Sequence, residues 1–296
     1  MTDQSDSRQG MLAMIVAMGL LPVGDAIAKL LTNVASPFDV TVWRIGMQAL
    51  FFVPIALVMR HRMKGPLLSW PALLSGVLFA ATMICFVSAF QKMPIATAIA
   101  IFFIEPLLLT LLAWPLLGER PGPRRLAAVV VGLIGALIVI RPNFAIFGPV
   151  ALFPVGAAIA YALNMIVLRR ASRSSSALTL QIGATFCAAI GMLILDAGSI
   201  VLGRDAVSIL ELPGWVFPAL ICAGAMLALT FLLITHAFSK VEAGLLAPFQ
   251  YLEIVGATIV GFAIFGDFPD ALTWLGTAII LAAGIYVFRR ERMAGA

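Results

Sequence analysis

The chain has 296 residues, of which 62% are hydrophobic and only 11% are charged, with a mean hydropathy of +1.09 and a formal net charge of +5. Soluble domains are about half apolar and about a quarter charged, so the composition excludes an ordinary soluble enzyme and indicates a membrane protein. Cys85, Cys187 and Cys222 all lie in apolar segments without metal-ligand spacing. We therefore expect buried thiols, with neither a disulfide framework nor a metal site.

Apolar segments follow one another along the chain, separated by proline, glycine and charged residues. Each approaches the roughly 20 residues that a membrane-spanning helix needs. The polar start, MTDQSDSRQG, lacks the basic region and cleavage site of a signal peptide, so we expect the first segment to be retained. The predicted fold class is an all-α integral membrane protein with ten transmembrane helices at 11–31, 38–59, 69–90, 94–117, 124–141, 146–168, 177–196, 214–237, 241–265 and 270–288.

The positive charges alternate with these segments. With both termini on one side, that side collects 14 of the 19 Lys and Arg residues. Cytoplasmic loops carry the excess of Lys and Arg, so we predict that both termini are cytoplasmic. The basic balance follows from topology, and a nucleic-acid partner is not expected. The five charges left for the opposite side are Lys29, Arg44, Lys92, Arg141 and Arg204.

The second half of the chain repeats the first. With a shift of 148 residues, Glu105 falls on Glu253, and Gly118-Glu119 falls on Gly266-Asp267. We predict a domain at 1–145 and a second at 146–296, each with five helices. Because five is odd, the halves cross the membrane in opposite senses, an inverted repeat typical of transporters with a midplane binding site. The sequence therefore favours a transporter with a central cavity.

Glu105 and Glu253 lie near the centres of two predicted spans. A charge at the bilayer midplane costs about 2.5–3.5 kcal/mol on insertion scales, so each needs a partner, a cavity or a proton. They are candidates for substrate binding or proton coupling, or are structural carboxyls that hydrogen-bond across the repeat interface. Pro106, directly after Glu105, removes a backbone donor and predicts a break in that helix.

Three charges in the first two spans admit two interpretations each. Asp25 and Lys29 are four residues apart and share a helix face, so they form an intrahelical pair or part of a site for a zwitterion. Arg44 either extends towards the membrane surface or pairs with a carboxylate. We interpret Arg44 as structural.

Aromatic and polar side chains share helix faces in several spans. Ser75, Phe79, Thr82, Phe86 and Phe90 form one face of the third helix, which either packs or lines a cavity. Tyr161 and Asn164 share a face of the sixth, and Phe249, Gln250 and Glu253 align on the ninth, with Tyr251 expected to point elsewhere. Rings with a few polar anchors are typical of small-molecule sites. The predicted substrate-binding residues are Asp25, Lys29, Phe79, Thr82, Phe86, Glu105, Tyr161, Asn164, Phe249, Gln250 and Glu253.

Small residues recur on two further helices. Gly132 and Ala136, like Ala278 and Ala282, are four residues apart, a spacing that permits close helix contact. His236, at the end of the eighth span, is interpreted as a packed residue.

The segment IEPLLLTLLAWPLLGERP, followed by GLIGALIVIRP, resembles the helix-four to helix-five signature of the drug/metabolite transporter superfamily, nearest to its ten-helix EamA-type exporters. The second copy, which begins PFQYLEIVGATIVGFAIFGDFP, resembles it more closely, although Ile254 replaces the proline. The resemblance covers essentially the whole chain and extends to bacterial exporters of aromatic amino acids, which implies a place in a bacterial inner membrane. It implies a cavity lined by helices one, three, four, six, eight and nine, with helices five and ten away from it, and structural roles for Gly118-Glu119 and Gly266-Asp267.

From the residues and the resemblance together, we expect an exporter of aromatic and other neutral amino acids and related metabolites, working by alternating access. The alternatives are an exporter of cationic drugs, nucleotide sugars or lipid-linked sugars, and, from another class, a membrane-embedded enzyme that modifies lipids. No phosphate-binding loop or convincing Ser-His-Asp set is present, so we expect neither a cofactor nor enzymatic activity. The expected partners are a small-molecule substrate and the bilayer, with the protein a monomer or weak homodimer.

Overall fold

The computed structural model describes residues 2–118, 122–172, 174–205, 207, 209–241 and 243–295. Glu119, which belongs to the predicted helix-end motif, lies outside these ranges. The described residues contain no strand, which confirms the all-α class. Their helices are α1 (Thr2–Leu31), α2 (Pro37–Val58), α3 (Trp70–Lys92), α4 (Ile95–Phe102), α5 (Glu105–Leu117), α6 (Pro123–Phe147), α7 (Phe153–Ala171), α8 (Ala177–Val201), α9 (Val216–Lys240), α10 (Ala243–Gln250), α11 (Leu252–Phe265) and α12 (Ala271–Gly295).

Local sequence explains where these helices begin and end. Ser36, Ser69 and Ser176 each precede a helix and accept a hydrogen bond from a backbone N–H in its first turn. That bond satisfies a donor with no partner inside the helix. Gly118 and Gly266 end α5 and α11 in the left-handed conformation, with φ of 76° and 71°, which glycine adopts without a steric penalty.

Seven helical stretches of the described chain are long and apolar enough to cross a membrane, and two shorter apolar helices follow near the C-terminal end. One of the seven, Pro123–Ala171, has 49 residues, more than twice what one crossing needs. It contains Gly148, which ends α6 with φ of 64°. The structure is that of a multi-pass membrane protein, and the count of ten crossings stays a prediction.

Two of the predicted spans are broken helices. The segment predicted as one helix at 94–117 consists of α4 and α5, which meet at Phe103 and Ile104. The segment predicted at 241–265 consists of α10 and α11, which meet at Tyr251. The break beside Pro106 was expected, whereas the second break has Ile254 in place of proline and was missed. The breaks fall at matching positions of the repeat, Phe103 and Tyr251, 148 residues apart.

The matching helix pairs run in opposite directions. Lys29 Nζ lies 3.3 Å from the carbonyl oxygen of Met93, just before α4, and 2.7 Å from Asp267 Oδ2, just after α11. The α4–α5 helix pair therefore begins at the end of the bundle where the α10–α11 helix pair ends. We call this the Lys29 end. The opposed directions confirm an inverted repeat.

The closest packing of helices joins the two halves. The α1 helix packs along α9, α6 along α12, and α3 along α7 and α8. The α6–α12 contact is tight enough that a Cβ on Gly276 would lie 2.6 Å from the carbonyl oxygen of Gly135. Gly132 and Ala136 face this contact as predicted, but Ala278 and Ala282 are exposed. The face of α12 that we predicted was wrong, because Gly276 and Ala283 carry the contact.

Candidate functional site: a central cavity at the two helix breaks

A cavity surrounds the two helix breaks. Its walls come from helices of both halves, chiefly α1, α3, α5, α7, α9 and α11. These correspond to the predicted lining helices one, three, four, six, eight and nine. One further lining residue, Arg44, comes from α2. The lining residues are Met18, Leu21, Asp25, Arg44, Phe79, Thr82, Met83, Phe86, Phe102, Phe103, Glu105, Pro106, Tyr161, Leu227, Phe231, Ile234, Gln250, Tyr251 and Glu253.

The breaks place one carboxyl group from each half in the cavity wall. Glu105 lies in the first turn of α5 and Glu253 in the first turn of α11. The backbone N–H groups of a first turn have no partner inside the helix, and they favour negative charge nearby. Glu105 Oε1 is buried without a hydrogen-bond partner among the described residues. A buried polar oxygen in that position is available to a ligand, water or a proton.

Aromatic rings form much of the remaining wall. The Phe102 ring packs 4.7 Å from Phe86 and 5.5 Å from Tyr161, and the Phe103 ring packs 5.2 Å from Tyr251, between ring centroids. Tilted and edge-on pairs at these distances stabilise one another. The rings keep their faces and edges in fixed positions, which suits a flat or cationic group.

Asp25 and Arg44 form a buried ion pair in the wall. Arg44 Nη2 donates a hydrogen bond of 2.8 Å to Asp25 Oδ1, and the two residues are 1% and 8% exposed. The pairing that we considered for Arg44 is thus correct, and the intrahelical pair of Asp25 with Lys29 was wrong. Arg44 was not among the predicted site residues. Its position well inside an apolar span was the available signal.

Most of the predicted substrate-binding residues meet in this cavity, and three do not. Lys29 pairs with Asp267 at the Lys29 end. Asn164 accepts a 2.6 Å hydrogen bond from Ser75 and so ties α7 to α3. Phe249 packs with the apolar residues of α1 and α9. The predicted residues that line the cavity are Asp25, Phe79, Thr82, Phe86, Glu105, Tyr161, Gln250 and Glu253.

Tyr251 lines the cavity, although we expected it to point elsewhere. That expectation assumed a continuous helix from Phe249 to Glu253. The break at Tyr251 changes the helical phase, so side chains on either side of it no longer follow one periodicity. Phe103 was missed for the same reason at the matching break.

Comparison with known proteins agrees with this architecture. The family model described as the EamA-like transporter family matches the chain twice, over residues 8–141 and 148–289. The chain belongs to the EamA-like transporter family. A solved crystal structure with 19% sequence identity has a TM-score of 0.60 and covers 98% of this chain and 99% of its own. That likeness supports the fold.

Several curated relatives of this chain carry substrate names. A riboflavin transporter from Rhizobium johnstonii is 28% identical over 251 residues, covering 84% of this chain and 80% of that protein. An S-adenosylmethionine uptake transporter from Rickettsia bellii is 26% identical over 276 residues, covering 91% and 90%. A riboflavin transporter from Brucella anthropi is 30% identical over 219 residues, covering 72% and 74%. These names do not include an exporter of aromatic amino acids.

Proposed function

We propose that this protein transports aromatic amino acids, and related metabolites that join a flat ring to an amino-acid head, by alternating access through the central cavity. It lies in the bacterial inner membrane with both termini in the cytoplasm, works as a monomer or weak homodimer, and exports its substrate. Membership of a transporter family supports transport over catalysis.

The observation that carries the proposal is the chemistry of the cavity wall. Asp25, Glu105 and Glu253 supply carboxyl groups, and Arg44 supplies a guanidinium. Carboxylates bind an ammonium group, a guanidinium binds a carboxylate, and aromatic walls bind a ring. An aromatic amino acid presents all three groups in one small molecule.

A second candidate is uptake of S-adenosylmethionine or riboflavin, the substrates in the names of the relatives. S-adenosylmethionine combines an amino-acid head, a sulfonium cation and a flat adenine ring. The aromatic wall suits the adenine ring and the sulfonium cation, since cations bind over ring faces. The carboxyl groups suit the ammonium group of the amino-acid head. Riboflavin offers a larger ring system without the charged head, so it would use the rings and leave the ion pair intact.

The charge of the wall argues against phosphorylated cargo. Among the described lining residues, Arg44 is the one cation beside three carboxyl groups. The diphosphate of a nucleotide sugar or a lipid-linked sugar would find a single guanidinium there, already paired with Asp25, beside carboxyl groups that repel it when ionised. Cationic drugs remain compatible with the wall and belong in any substrate panel.

The test is flux by the purified full-length protein in sealed liposomes. The panel holds tryptophan, phenylalanine, S-adenosylmethionine, riboflavin and a quaternary ammonium drug, each with and without an imposed proton gradient. We expect flux of tryptophan and phenylalanine above protein-free liposomes, and competition between them. Flux of riboflavin or S-adenosylmethionine alone would support the second candidate, and no flux of any compound would overturn transport of this class.

A further inference from the structure

Arg44 has hydrogen-bonding capacity that the protein itself does not use. Its Nη2 binds Asp25, while Nε and Nη1 are buried without a partner among the described residues. Buried guanidinium donors that lack partners are costly, and most buried polar groups find one. Arg44 lines the cavity, but these two donors are enclosed, so a ligand reaches them as the guanidinium shifts from its contact with Asp25.

Arginine binds both oxygens of a carboxylate through Nη2 together with either Nε or Nη1, because the N–H groups of Nε and Nη1 point in different directions. Asp25 already occupies one donor of the same group through a single oxygen. An incoming carboxylate therefore competes with Asp25 for Arg44. Occupation of Arg44 by the substrate would release the Asp25 carboxylate inside the protein.

Asp25 has a second cation within reach once it is released. Lys29 lies one helical turn further along α1, and residues four apart on a helix are neighbours. In this structure Lys29 does not contact Asp25, because its Nζ binds Asp267 at 2.7 Å and the Met93 carbonyl at 3.3 Å, and lies 4.5 Å from the centre of the Phe265 ring. The contacts with Asp267 and Phe265 join the first half to the second, and we interpret them as the closure of the Lys29 end.

We propose that Arg44 is the receptor for the carboxylate of the substrate, and that its occupation transfers Asp25 from Arg44 to Lys29, which breaks the Lys29–Asp267 pair and opens the Lys29 end. This inference rests on the proposed function, since it assigns the atoms that recognise the cargo and connects them to the closure. Two ion pairs exist before the exchange and two after it, so no charge is left unpaired in the apolar interior. Only Asp267 loses its partner, and its side chain is already partly exposed to solvent.

The first experiment compares each carboxylate with its decarboxylated counterpart. Tryptophan is paired with tryptamine, and S-adenosylmethionine with its decarboxylated form, in binding measurements on wild type and on Arg44→Lys. The lysine keeps the charge and loses the planar donors. We expect Arg44→Lys to weaken tryptophan binding by at least about tenfold, since bonds to charged groups contribute about 1.5–3 kcal/mol, and to leave tryptamine within about twofold.

These outcomes separate the inference from the proposed function. A wild-type protein that moves amines and amino acids equally well retains the proposed function and overturns the role of Arg44. Equal weakening of tryptophan and tryptamine in Arg44→Lys would show a general structural effect and also overturn it. A protein that binds none of the four probes loses both.

The second experiment tests the link to the closure. The cavity residue Phe231 is changed to Cys after Cys85, Cys187 and Cys222 are replaced by Ala, and an impermeant thiol reagent is applied from the Lys29 end. Tryptophan is expected to increase labelling in the otherwise unchanged protein. The test variant combines Lys29→Asp with Asp267→Lys. It restores the ion pair with the two charges exchanged, and it leaves Asp25 without a neighbouring cation on α1. We expect low labelling with or without tryptophan, and loss of transport.

If the pair only stabilises the fold, the reversed pair restores transport, which overturns the proposal. Lys29→Met is the matched control, and it should be labelled without tryptophan because the closure has lost its cation. Asp25→Asn provides an independent variant if the reversed pair does not fold. At tryptophan concentrations that saturate this variant it should not open, whereas substrate-dependent labelling of Asp25→Asn would contradict the exchange.

Discussion

At the scale of single residues, the two glutamates of the cavity wall are half-buried and lie beside the helix breaks. Each follows a helix break, and Glu105 Oε1 has no hydrogen-bond partner among the described residues. A structural carboxyl normally has its oxygens satisfied. The position of this oxygen at the cavity therefore favours a role in substrate or proton binding over the structural alternative.

Glu105→Gln and Glu253→Gln test that role, because each keeps the size and removes the charge. We expect flux of tryptophan to fall at least about tenfold in Glu105→Gln, the loss of one bond to a charged group. Glu211→Gln is the control, since Glu211 is exposed and away from the cavity. Initial rates in liposomes measure the effect. Rates equal to the control in both variants would remove the acids from the mechanism.

The residues of the site were predictable to different degrees. Glu105 and Glu253 stood out because charge is rare in apolar spans. The partner of Lys29 was not predictable, because Asp267 lies 238 residues further along the chain and only the tertiary fold brings it close. The direction of the Tyr251 side chain was mispredicted for a local reason, because the helix break changes the helical phase.

At the scale of helices, the two breaks show that proline is not their common cause. Pro106 follows the first break, and Ile254 occupies the matching place after the second. Both breaks instead lie where large rings, Phe103 and Tyr251, pack against each other at the centre of the protein. The tertiary packing therefore sustains a break that the backbone chemistry alone would not require.

Pro106→Ile follows from this comparison. The second half already holds a break with isoleucine in the same place, so we expect the variant to keep the break and to transport tryptophan at a rate within about twofold of wild type. The restored N–H adds a donor that the first turn of a helix tolerates. The tryptophan flux of Pro106→Ile is measured in the same assay as that of Glu105→Gln, for which we expect a large loss. A loss as large as that of the acid variant would mean that the proline itself is needed.

Gly76 marks the contact between α3 and α8. A Cβ there would lie 2.6 Å from the Ala184 carbonyl oxygen and 2.9 Å from the Ala188 nitrogen, and backbone atoms cannot move aside as a flexible side chain can. We expect Gly76→Ala to destabilise the protein by about 1–3 kcal/mol, as overpacking does. Thermal unfolding in detergent measures it. Gly191→Ala on α8 is the control, because no atom lies within 4 Å of that Cβ, and an equal melting point for both variants would contradict the argument.

The helices themselves were largely predictable, because apolar length and proline, glycine and charge punctuation mark each one. Which faces of the helices pack against one another was less predictable. The contact face of α12 was misassigned because several small residues on one helix offer alternative faces, and the sequence alone does not select among them.

At the scale of the whole molecule, the most extensive helix packing joins the two halves. The main packing partners of α1, α3 and α6 belong to the second half. We therefore expect residues 1–148 expressed alone to aggregate or be degraded. Co-expression with residues 149–296 should give a complex that co-purifies, with the cut placed after Gly148, where α6 ends. Stable, monodisperse behaviour of either half alone would contradict this expectation.

The repeat also has an energetic consequence. In an inverted repeat, each access state turns into the other when the halves exchange conformations, so identical halves would populate both states equally. These halves differ where the Lys29–Asp267 pair forms. Near the start of each half the repeat aligns with a shift of 132 residues, so Lys29 corresponds to Tyr161, and with the shift of 148 residues Asp267 corresponds to Glu119; neither of these two residues carries a positive charge. Every 1.4 kcal/mol of such a difference shifts the populations about tenfold. The resting molecule is thus biased to open at the end opposite to Lys29. Under the predicted topology that opposite end faces the cytoplasm, where an exporter collects its cargo.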